Sequence, residues 1–108
     1  MSIGKTLMGK PFEYMGTLAT GITVFLAPPS KLEIKREIIQ IIREEITNRS
    51  PVRMGACRQP LVKDSVGETL SVKHGTTPQV MSYVVPLLVD EGFCTVSAQK
   101  PFVIQLTR

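Results

Sequence analysis

The chain has 108 residues, of which 43% are hydrophobic and 20% charged, with eight glycines and eight prolines. This length predicts one domain whose core is large enough to fold without disulfides or metals. The apolar content excludes intrinsic disorder, and glycine and proline without a fixed period exclude collagen-like and low-complexity chains. No uninterrupted apolar run of about 18 residues occurs, so we expect no membrane partner.

The formal net charge of +4 is unevenly distributed along the chain. Residues 49–63 carry four basic side chains and no acid, whereas residues 64–92 have a net charge of −3. A basic segment of this kind predicts an anionic partner.

The chain lacks the spacing of cysteine and histidine ligands that a metal site requires, because it has only two isolated cysteines and one histidine, Cys57, Cys94 and His74. We therefore expect no cofactor. Unpaired cysteines indicate a reduced compartment, and the cytoplasm is the expected location. Cys57 lies between Arg53 and Arg58, and positive charge nearby lowers the pKa of a thiol. Cys57 is therefore either a redox-sensing thiolate or an ordinary half-buried thiol, and the second interpretation is favoured.

Residues 1–29 predict an N-terminal extension or arm with one strand near Ile22–Leu26. The motif Ser30-Lys31-Leu32-Glu33 has the spacing of a capping box and predicts a helix from there to about Asn48. Apolar side chains cover about half of that helix's circumference. Because one small core does not need so wide a face, we expect a second subunit or the N-terminal segment to share it.

Further elements follow in chain order. A short strand is expected near Val52–Ala56, and Ser65-Val66-Gly67-Glu68 repeats the capping-box spacing before a helix that ends at Gly75. Thr77 and Pro78 are typical of the start of a third helix, which is expected to run to Glu91. Two alternating runs, 93–97 and 102–107, predict a hairpin.

This order of elements resembles the winged helix-turn-helix superfamily over about residues 31–108. The residues that carry the resemblance are Leu70 on the second helix, Gly75 in the turn, Thr77 as the cap, Val80-Met81 packing back and Gly92-Phe93 after the third helix. The resemblance implies a mainly α fold with a small β-wing, in the order helix–strand–helix–helix–β-hairpin, at residues 30–108. It also implies DNA binding, with the third helix in the major groove and the wing on the backbone or in the minor groove.

Polar side chains on the outward face of the third helix are the candidate base-reading groups. Gln79 suits the edge of adenine, and Thr77, Ser82 and Tyr83 suit phosphates or bases. That face has no lysine or arginine, so the positive charge must come from elsewhere. The candidates for phosphate contact are Arg53, Arg58, Lys63, Lys73 and Lys100. The hypothesis is a homodimeric transcription regulator that binds double-stranded DNA and is not an enzyme.

An alternative is a winged-helix protein-interaction module without DNA binding. Val80, Leu87 and Val89 extend the apolar surface of the third helix, as a partner contact would require. Pro86 lies in mid-helix, where it either bends the helix and so aims Gln79 and Ser82, or faces solvent with a kink that fits the core. The second interpretation is favoured.

Overall fold

The first 35 residues form an antiparallel sheet in a computed structural model that describes residues 1–56, 60–99 and 101–107. The strands are β1 (Ser2–Lys5), β2 (Pro11–Thr17), β3 (Gly21–Phe25) and β4 (Lys31–Lys35), and they neighbour one another in chain order. Side chains alternate between two faces, because successive residues of a strand point to opposite sides. One face buries Phe12, Ile22, Val24 and Ile34. The other face carries exposed Ile3 and Met15.

The predicted start of the first helix at Ser30 is wrong, because residues 31–35 are strand β4. Ile22 pairs with Ile34 and Val24 pairs with Leu32 across the β3–β4 ladder. These pairs place the apolar members of the alternating segment on the core face and leave the charged ones exposed. Strand pairing with β3 therefore overrides the local capping signal.

The first helix, α1 (Arg36–Arg49), buries Ile39, Ile42 and Ile46. It packs against β3 and β4 on one side and against the C-terminal part of the chain on the other. The wide isoleucine face is thus covered within one chain, and the N-terminal segment is the element that shares it. Homodimerisation stays a prediction, but this face no longer provides a reason for it.

The remaining elements lie between residues 52 and 106. They are β5 (Val52–Arg53), α2 (Val66–His74), a 3-10 turn (Pro78–Val80), α3 (Met81–Asp90), β6 (Cys94–Val96) and β7 (Val103–Leu106). The last strand lies in the middle of a second sheet with the order β5-β7-β6, and both pairings are antiparallel. The predicted C-terminal hairpin is therefore present as β6 and β7.

The predicted fold class, mainly α with a small wing after an N-terminal extension, is wrong. The described residues contain three helices and seven strands in two sheets, with 35% of residues helical and 31% in strands, which is an α/β fold. Most of the strands that the sequence did not predict lie in residues 1–35. The sequence signal for these strands is the alternation of Phe12, Tyr14, Ile22 and Val24, whose side chains share one face of the first sheet.

One hydrophobic core joins the two sheets. It contains Phe12 and Val24 from the first sheet, Ile42 from α1, Leu88 from α3 and Ile104 from the second sheet. No helix in the described ranges is both long and apolar enough to cross a membrane.

Candidate nucleic-acid interface

Helix α2 begins and ends at the residues that the sequence indicates. Ser65 Oγ accepts a hydrogen bond from the backbone N–H of Glu68 at 3.0 Å and donates one to the carbonyl of Val62 at 2.6 Å. Gly75 closes the helix with φ 61°, a left-handed conformation that glycine adopts without a steric penalty. These two caps fix the length of α2, and so they fix where the following turn lies.

A three-residue turn leads from α2 to the next helical segment. Thr77 Oγ1 accepts a hydrogen bond from the backbone N–H of Gln79, and Pro78 occupies the first helical position. The hydroxyl of Thr77 therefore caps the 3-10 turn that precedes α3. This turn brings the 3-10 turn into contact with α2.

The close approach of α2 to its neighbours requires glycine at position 67. The backbone N–H of Gly67 donates to the carbonyl of Met54 at 3.1 Å. A Cβ at Gly67 would collide with the carbonyl group of Gly55 and would crowd Pro78. The helix is therefore held against both the end of β5 and the start of the segment that contains Gln79.

Four of the predicted DNA-contacting side chains are exposed: Arg53, Lys63, Lys73 and Gln79. Lys73 lies in the last turn of α2, and Gln79 lies in the 3-10 turn at the start of the following helical segment. We call Lys73, His74 and Gln79 the turn surface. His74 is exposed as well, and no acidic residue occurs from Thr69 to Val89.

Ser82 and Tyr83 lie where the N-terminal sheet reaches α3, and each is partly buried. The ring of Tyr83 packs edge-on against Phe12, with 5.1 Å between the ring centroids. The expected exposed face of the third helix is therefore partly covered by the β1–β2 hairpin. Sequence reasoning missed this contact because it connects positions 71 residues apart, and the alternation around Phe12 was its only signal.

The apolar residues that suggested a partner surface belong to the core of this chain. Val80 and Leu87 are buried, and Val89 is partly buried against the core. Pro86 is buried inside α3, so the favoured expectation that it faces solvent is wrong. These side chains provide no exposed apolar patch for a partner protein.

Arg49 does not contribute free positive charge to the basic segment. Its guanidinium donates to Glu45 Oε1 at 2.8 Å, to Thr69 Oγ1 at 3.0 Å and to the carbonyl of Asp64 at 2.8 Å. The predicted contacts Arg58 and Lys100, and also Cys57, lie outside the described residues.

Metal-ligating side chains do not cluster in the described residues, and Cys94 is a buried free cysteine. No group of three or more histidine, cysteine, aspartate or glutamate side chains in that part of the chain is placed to hold a metal ion. Cys94 is buried, and burial raises the pKa of its thiol from the usual 9.0 to about 11. The thiol is therefore protonated at neutral pH and is a poor nucleophile.

No protein-family model, curated protein or solved structure matches this chain. The resemblance to the winged helix-turn-helix superfamily is tested by none of these comparisons and stays a prediction.

Proposed function

We propose that the protein binds double-stranded DNA through the turn surface. The observation that carries the proposal is the exposure of Lys73 and Gln79 on either side of a tightly capped turn, in a stretch without acidic residues. Helix-turn-helix proteins bring the start of their second helix to the base edges in the major groove. The start of the second helical segment is also where Gln79 lies.

The side chains divide into two roles by their chemistry. Lys73, Lys63 and Arg53 are exposed cations that suit phosphate oxygens, which supply affinity without sequence preference. The exposed amide of Gln79 suits the paired donor and acceptor of adenine. Thr77 acts indirectly, because its hydroxyl caps the 3-10 turn and so positions Gln79.

The proposed DNA-binding surface is smaller than the one that the sequence predicts. Ser82 and Tyr83 lie beside the β1–β2 hairpin, so base reading depends on Gln79 and not on the length of α3. Regulation of transcription, as a homodimer in the cytoplasm, is the role we propose for such a DNA-binding protein.

A protein-interaction module is the second candidate. The contact between Tyr83 and Phe12 engages one of the expected base-reading side chains within the fold, which weakens the case for DNA binding but supplies no surface for a partner protein. The two candidates differ in whether the turn surface binds a polyanion.

Fluorescence anisotropy with a labelled random duplex, at several salt concentrations, tests the proposal. We expect salt-sensitive binding by the full chain, and we expect Lys73→Ala to lower the slope of log K against log salt by about 0.9, the value for one lost phosphate contact. Lys31→Ala is the matched control, because Lys31 is an exposed lysine on the outer face of β4. No binding at low salt, or equal loss in both variants, would contradict DNA binding at the turn surface.

A further inference from the structure

A groove separates the tip of the β1–β2 hairpin from the start of α3. Its volume is about 740 Å³, within the range of about 300–1,000 Å³ that is typical of small-molecule sites. The turn between β1 and β2, the segments that follow β5 and precede β7, and α3 contribute to its walls, so its shape depends on the packing of the N-terminal sheet against the rest of the molecule. We call it the hairpin groove.

The walls of the hairpin groove are mostly apolar. The side chains that carry this character are Leu7, Met8, Met54, Val62 and Phe102. Met8 is exposed at the hairpin tip, and Leu7 and Phe102 are partly buried. This lining fits an aliphatic or aromatic body rather than an inorganic ion.

Polar groups line the same groove from the hairpin and from α3. Ser82 and Tyr83 contribute hydroxyl groups, and Lys10 is the one charged side chain among the described residues that line it. The backbone of Lys10 is held by its turn: its N–H donates to Thr6 Oγ1 at 3.1 Å, and its carbonyl accepts from the backbone N–H of Thr6 at 2.9 Å. A cation and two hydroxyl donors beside apolar walls are complementary to an anion with an apolar body.

We propose that the hairpin groove binds a small amphipathic carboxylate. The apolar body of the ligand lies against Leu7, Met54 and Phe102, and its carboxylate meets the ammonium group of Lys10. The hydroxyl groups of Ser82 and Tyr83 donate to the same carboxylate. This site is separate from the turn surface, and the proposal does not depend on DNA binding.

The test uses octanoate and octan-1-ol as probes, which share an aliphatic chain and differ in charge. Two-dimensional amide NMR of the full chain follows both titrations. We expect octanoate to shift the signals of groove residues saturably and to bind about tenfold more tightly than octan-1-ol, because only the anion pairs with Lys10. Unsaturable shifts, or shifts spread over the whole surface, would overturn the proposal.

Two variants locate the binding site. Lys10→Met is expected to weaken octanoate binding about tenfold and to leave octan-1-ol binding unchanged, whereas the control Lys31→Met on the first sheet changes neither. Ser82→Phe, which fills the groove from α3, is expected to abolish binding of both probes. Equal affinities of Lys10→Met and Lys31→Met for octanoate would overturn the proposal even if Ser82→Phe failed to fold.

Discussion

Arg49 shows how an internal contact changes the meaning of a basic residue. By composition it belongs to the positive segment 49–63, but its guanidinium joins α1 to the start of α2 through Glu45, Thr69 and the carbonyl of Asp64. Only exposed cations remain available to an anionic partner. The charge of a segment therefore predicts the sign of a partner better than it predicts which side chains touch it.

A buried thiol makes the stability of this protein depend on pH in the alkaline range. Below pH 9, Cys94 is protonated in both the folded and the unfolded chain. Between pH 9 and 11 the unfolded chain releases this proton and the folded chain retains it, so rising pH favours unfolding. We expect the free energy of unfolding to lose about 2 kcal/mol from this group by pH 11.

Urea denaturation at a series of alkaline pH values measures that loss. Cys94→Ala is the comparison, because it removes the titrating thiol while the other alkaline groups remain. A smaller decline of stability with pH in Cys94→Ala is the expected result. Parallel declines in the two proteins would show that the thiol does not titrate differently on folding.

At the scale of elements, two similar motifs have different outcomes. Ser65-x-x-Glu68 begins α2 as predicted, whereas Ser30-x-x-Glu33 precedes and enters a strand. The difference lies in what surrounds each motif: β3 offers Ile22 and Val24 as partners for the segment after Ser30. A local motif therefore predicts a helix start only where no neighbouring strand competes for the same residues.

The residues of the candidate site also differ in how far the local sequence predicts their roles. Ser65, Gly75 and Thr77 have local roles, and the sequence alone predicts the caps and turn that they form. The partial burial of Tyr83 depends on Phe12, which lies in another element. The alternation around Phe12 indicates a strand, but it does not show which element that strand packs against. Exposure of Gln79 was predictable, and the hairpin beside α3 was not.

Glycine at position 67 provides a test of how α2 is held. Gly67→Ala places a methyl group against the backbone of Gly55, so we expect a loss of about 3 kcal/mol in the free energy of unfolding. Gly75→Ala is the control, because position 75 has open space and only its left-handed backbone is strained, at about 1 kcal/mol. Urea unfolding midpoints compare the two, and equal losses would argue against close packing at Gly67.

At the scale of the molecule, the two sheets depend on a shared core. Helix α1 contacts strands of both sheets, and its buried residues Ile39, Ile42 and Ile46 belong to the shared core. A chain that starts at Arg36 leaves part of this face in water, at a cost of about 25 cal/mol for each Å² exposed. We therefore expect residues 36–108 alone to lose cooperative folding.

Thermal unfolding followed by circular dichroism, together with the dispersion of amide NMR signals, checks this expectation. The full chain is the reference, and a variant that lacks only Met1 and Ser2 controls for the shortened N-terminus. A sharp melting transition and dispersed signals from residues 36–108 would show that this part folds independently of the first sheet.

The pairing of Val52 with Ile104 imposes an order on folding. The first sheet connects consecutive strands through short turns, so the loops that must close to form it are small. The second sheet joins residues 52 positions apart, and its central strand is the last one in the chain. During synthesis the first sheet therefore leaves the ribosome complete, with Phe12 and Val24 uncovered, before the elements that bury them have been made. The second sheet forms only once β7 has been made, so its pairing follows that of the first sheet.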